Sequence, residues 1–198
     1  RTLPGQRFPL TAAVVTGLLV AGVVLEACWP DALDALRRDP SSHQWWRLLT
    51  SPFVQDGDIA GTVFNLASAA LVLALAEWHW GRLLAAASWL VGAWAPLGDL
   101  AGMVGYRVSA GDAVAYTAGS SGATYFTAAT LCAALALTGS GGERLLGLAA
   151  PALGVALWLV AGDGHGVMFS QGVVFGALLW AARRIASSFR SPSPARRG

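Results

Sequence analysis

The chain has 198 residues, of which 55% are hydrophobic and only 12% charged, with a net charge of +2. Water-soluble domains usually carry about 25% charge, so this composition excludes an ordinary soluble globular domain, and so small a charge excess calls for no nucleic-acid partner. The two cysteines, Cys28 and Cys132, fall in different apolar runs without metal or redox spacing and read as packing residues.

Six runs approach the roughly 20 apolar residues that a helix needs to cross a hydrocarbon core about 30 Å thick. The first, Phe8–Trp29, ends in Cys-Trp-Pro without a small-residue cleavage pattern, which predicts an anchored helix rather than a removed signal. A long loop over 30–58 leads to the second run, Ile59–Trp78, which carries Asn65, Ser68 and, near its end, Glu77. The third, Leu83–Val104, contains Asp99. The fourth, Ala113–Thr138, carries Ser120, Ser121 and Tyr125. The fifth and sixth are Leu145–Ala161 and Gly166–Ala182, with His165, Ser170 and Gln171 around the start of the last. The expected fold is an all-α, polytopic, six-span membrane domain over 1–182. An irregular Arg/Ser/Pro tail over 183–198 is expected to be disordered and to meet anionic headgroups.

All 13 basic residues are arginines. On a six-span frame Arg1, Arg7, Arg82, Arg144, Arg183, Arg184, Arg190, Arg196 and Arg197 share one side with both termini. Only Arg37, Arg38, Arg47 and Arg107 fall on the other. Arginine-rich flanks stay cytoplasmic, so both termini are expected inside, in the plasma membrane.

Polar groups inside spans are costly unless partnered, so each is a question about function. Of the three histidines, His43 and His79 should lie on opposite membrane faces, which argues against a three-histidine metal site. No span holds a pair of acidic residues, and there is no His-Glu-x-x-His stretch. No metal or cofactor is implied. A serine in a glycine frame, Gly119-Ser120-Ser121-Gly122, remains, with His165 at the outer end of another helix. A serine with a nearby base is the minimum for nucleophilic catalysis. If Gly119 delays the helix start, Ser121 meets free backbone N–H groups and the positive dipole end, which favour a developing oxyanion. The competing reading is packing: small residues let membrane helices approach, and the glycine frame would then only face Gly172 and Gly176.

The order of motifs resembles the rhomboid family of intramembrane serine proteases. Trp46-Arg47-Leu48-Leu49-Thr50-Ser51-Pro52-Phe53 is similar to its Trp-Arg loop signature, and Val63-Phe64-Asn65 to its second-span asparagine. Glu77 with Gly81 resembles the close of that span. Gly119-Ser120-Ser121-Gly122, with Tyr125 four residues after the serine, resembles its Gly-x-Ser-Gly motif. His165, Gly172 and Gly176 resemble its last-span histidine and glycines.

The resemblance implies that Ser121 is the nucleophile and His165 the base of a dyad. Asn65 and the Ser121 N–H would hold the oxyanion, Tyr125 would orient the imidazole, and Arg47 would order the first loop. It implies a serine endopeptidase that hydrolyses bonds in or beside the membrane helices of protein substrates. The alternative is an inactive rhomboid-like protein that binds such helices uncut. Three positions depart from the family pattern. Gly61 stands where a histidine is frequent, and Gln55 or Asp56 replaces a loop histidine. Met168 is at the third position after His165, where a small residue is usual. If Gly172 and Gly176 are the family pair, Phe169 falls in the histidine's place. At 100° per residue, however, His165, Gly172 and Gly176 lie within about 20° of one helix face.

Overall fold

The computed structural model describes residues 8–38, 44, 46–94, 118–161 and 165–190. Within them the chain is helical, with no strand among the described residues. The elements are α1 (Leu10–Cys28), α2 (Ala32–Leu36), α3 (Arg47–Thr50) running into a 3-10 turn (Ser51–Phe53), α4 (Ile59–Trp80), α5 (Arg82–Trp94), α6 (Ser121–Thr138), α7 (Gly141–Ala161) and α8 (His165–Arg190).

Five of these helices, α1, α4, α6, α7 and α8, are long and apolar enough to cross a membrane. Their outward faces are as apolar as a core: Ile59 of α4 and Val160 of α7 are each at least 85% exposed. In water such a surface is a liability, whereas hydrocarbon is its natural solvent. The expected third span corresponds to α5, described as far as Trp94; its second half, 95–104, lies outside the described residues, as do 113–117, His43 and 191–198.

Helix α6 is the centre of the bundle. Half of its apolar window is buried, against 12–22% for the other four long helices, and it packs on α4, α5, α7 and α8. Small side chains make this possible: Ala123, Thr124, Thr127, Ala129, Thr130 and Ala133 are all buried. The threonine hydroxyls find acceptors on their own helix, Thr124 and Thr127 each donating over 2.9 Å to the carbonyl four residues back. No water is needed to satisfy them.

Helices α6 and α8 approach each other closely through glycine. A Cβ added to Gly172 would lie 2.3 Å from the Phe126 carbonyl oxygen, and one on Gly176 would lie 2.7 Å from that of Thr130. The two glycines therefore let α8 lie directly on the Phe126 and Thr130 backbone and on the Ala129 and Ala133 methyl groups of α6, and by helical periodicity His165 lies further along the same face.

Three expectations need correction. The stretch expected to be a disordered tail from Arg183 is helical through Arg190. Leaving the apolar zone does not end backbone hydrogen bonding, and the Ser187 and Ser188 hydroxyls add to it by donating to the carbonyls of Arg184 and Ile185 at 2.7 Å. The segment 30–58, expected as a loop, contains α2, α3 and the 3-10 turn. Cys132 is buried in α6, but Cys28, expected to pack, is exposed at the end of α1.

Candidate active site

Ser121 is the first residue of α6, and Ser120 precedes it as the N-cap without a side-chain capping bond. The backbone turns into the helix through Gly119, whose φ of +105° is open only to glycine at low cost. The Gly119 N–H donates to the Ser51 carbonyl over 2.9 Å, which ties the turn to the 3-10 segment. Ser121 is thus presented at a helix start, where backbone N–H groups lack intrahelical acceptors and the dipole favours negative charge.

His165 opens α8, and its Nε2 lies 3.0 Å from Ser121 Oγ. That is hydrogen-bonding distance, the separation a nucleophile and its base would need. Tyr125, one turn beyond Ser121, stacks on the imidazole with centroids 4.6 Å apart and planes tilted by 44°. Phe169, one turn further along α8, also contacts this tyrosine, with centroids 5.3 Å apart. It fills the space at Gly154, where an added Cβ would come within 2.7 Å of its ring. Of the two side chains considered for the serine's partner, His165 is the one bonded to it. Gly122 faces Met168, 3.8 Å from the position of an added Cβ.

Asn65 stands in the first half of α4 and donates from Nδ2 to Gln55 Oε1 over 3.1 Å. Gln55 lies just beyond the 3-10 turn and is 4% exposed. A single carbon added at Gly119 would lie 3.6 Å from Gln55 Oε1 and 4.0 Å from Ser121 Oγ, so both side chains border the same turn. Gly61 brings no side chain, and its N–H is taken by Asp58 Oδ1 at 2.7 Å, capping α4.

Arg47 lies outside this cluster. Its Nε donates to Gln44, and its Nη1 donates to the carbonyls of Asp34 and Arg37 at 2.6 and 3.1 Å. Its guanidinium also sits over the Trp46 ring, 5.2 Å from the centroid. Both residues therefore organise the segment around α2 and α3. Glu77 lies further along α4, about 18 Å from Asn65 at 1.5 Å per residue. Its carboxylate accepts from the Thr11 and Leu10 N–H groups at the start of α1 (2.7 and 3.2 Å) and from Arg82 Nε at 2.9 Å. Among the described residues, no group of three or more His, Cys, Asp or Glu side chains is placed to hold a metal.

Sequence reasoning passed over Glu26. This residue of α1 accepts the Gln55 N–H over 2.6 Å and anchors the loop that carries the glutamine. A carboxylate inside the first apolar run was the available signal. Comparison of the chain with protein-family models, with curated proteins and with solved structures finds no match.

Proposed function

We infer that the protein is an intramembrane serine endopeptidase built on a six-span rhomboid-like frame, with both termini in the cytoplasm and the site opening toward the outer face of the plasma membrane. The observation that carries this reading is the 3.0 Å contact between Ser121 Oγ and His165 Nε2, made across two helices at the start of each.

The chemistry follows from the geometry. Ser121 Oγ attacks the substrate's peptide carbonyl carbon while its proton passes to His165 Nε2. The carbonyl oxygen takes up the negative charge and is stabilised by the Ser121 N–H at the start of α6 and by the Asn65 amide. Collapse of the tetrahedral intermediate breaks the C–N bond, and the imidazolium gives its proton to the departing amine. Water, deprotonated by the same histidine, then hydrolyses the acyl-serine ester. Tyr125 holds the ring plane throughout. Substrates are the membrane-spanning helices of other proteins, unwound near the outer leaflet where the cleaved bond must meet water. The reaction needs no cofactor.

A fluorophosphonate probe tests the reading. The wild-type protein should be labelled at Ser121 and should cut a transmembrane reporter, and Ser121→Ala should do neither. A wild type that takes no label, cuts nothing and still co-purifies with the intact reporter would instead be a helix-binding pseudoenzyme.

A further inference from the structure

Gln55 is an anomaly in its surroundings. It is 4% exposed, its neighbours Val54 and Pro52 are buried too, and its Nε2 has no hydrogen-bond partner among the described residues. A position serving only to close the fold would hold an apolar side chain or a fully paired one, since an unpaired buried donor is a net cost. The backbone of this residue is nevertheless fixed from two directions. Its own N–H is held by Glu26 of α1, and Ser51, at the start of the preceding turn, accepts from Gly119. The amide is therefore held in place, and its one partner is Asn65.

We propose that Gln55 is a positioning residue of the oxyanion site: its Oε1 holds one N–H of the Asn65 amide and so turns the other toward the oxygen that attack by Ser121 creates. An asparagine amide rotates about its last bond, and without an acceptor Asn65 would spend its donors in several directions. Preorganised donors are effective because no reorientation is left for the moment of reaction. Gly61, one turn before Asn65, has no side chain to share this task. The role rests on the peptidase reading above.

The test uses the full chain in detergent or nanodiscs and measures kcat and KM on the transmembrane reporter, together with thermal unfolding. Gln55→Met keeps length and volume but offers Asn65 no comparable acceptor. It should lower kcat by about 10–10²-fold with KM little changed. Its unfolding temperature should be unchanged or raised, because an unpaired donor has been removed. In an Asn65→Ala background, where there is no amide left to orient, Gln55→Met should have no further effect. Gln55→Glu retains an acceptor and should hold the Asn65 amide, so its kcat should exceed that of Gln55→Met. If Gln55→Met is fully active, or its loss multiplies with that of Asn65→Ala, the proposal is overturned while the peptidase reading stands. If Gln55→Met simply unfolds and Gln55→Glu is no better than Asn65→Ala, the glutamine is structural and the proposal is likewise overturned. A wild type inert to both probe and reporter overturns both.

Discussion

Glu77 and Ser121 both lie near the end of a long helix, yet their polar surroundings are built on opposite plans. The Glu77 carboxylate closes its own neighbourhood: two N–H groups at the start of α1 and the Arg82 guanidinium all point at it. Around Ser121 polar groups are left without partners. Among the described residues, Ser120 Oγ and Gln55 Nε2 are buried and unpaired, and no side chain caps α6. In a medium that cannot hydrogen-bond, the first arrangement fastens helices together. The second carries an energetic cost that structure alone does not repay, as expected where a reacting group is to be the missing partner. One cluster should therefore govern stability and the other rate.

The strongest way to break this division is at Ser121, the proposed nucleophile. Ser121→Ala should reduce reporter cleavage by on the order of 10⁴-fold or more, by analogy with other serine nucleophiles. Thermal unfolding should barely move, because the hydroxyl's contact to His165 is a single hydrogen bond between partly exposed groups. A large loss of stability in this variant would mean that the Ser121–His165 contact is structural, as the packing reading of the glycine frame requires. Next in size is Asn65→Ala, for which loss of one proposed oxyanion donor should cost about 10²–10³ in kcat. The fluorophosphonate labelling rate should fall with it, since the probe places an oxygen in the same site.

The closed cluster should show the reverse. Glu77→Gln keeps the shape but weakens acceptance from Thr11, Leu10 and Arg82, and should cost about 1–2 kcal/mol of stability. The rate of labelling at Ser121 should stay within twofold of wild type. Gly172→Ala probes the seam between the two regions. Its methyl group would fall 2.3 Å from the Phe126 carbonyl oxygen and push α8 off α6, so stability and rate should fall together.

The seam is also where the sequence was most legible. His165, Gly172 and Gly176 follow helical periodicity, so their common face can be computed from spacing alone, and the two glycines do meet α6 at Phe126 and Thr130. The spacing also made it possible to weigh His165 against Phe169 as the serine's partner. The contact between Gln55 and Asn65 was not legible, because the turn and loop that join them have no period to extrapolate. Hydropathy likewise gave the apolar stretch of α8 but not its end. The index records where side chains leave the membrane, whereas the helix ends only where the backbone stops bonding, beyond Arg183. Glu26 was hidden by its apolar neighbours, though its charge alone should have marked it.

The smallest effect belongs to Tyr125, and it separates two ways a ring can support the dyad. The tyrosine ring contacts both His165 and Phe169, with centroids 4.6 and 5.3 Å away, so this tilted stack alone restricts the imidazole's rotation. Tyr125→Phe keeps that stack and should leave kcat within about twofold, because offset aromatic contact does not depend on the hydroxyl. Tyr125→Leu removes the flat wall and frees the ring to turn from Ser121, at an expected cost of about tenfold in kcat, or roughly 1.4 kcal/mol. The two variants should differ in rate more than in unfolding temperature. Should Tyr125→Phe prove as slow as Tyr125→Leu, the hydroxyl itself takes part, and the open cluster around Ser121 includes one more donor than the stacking accounts for.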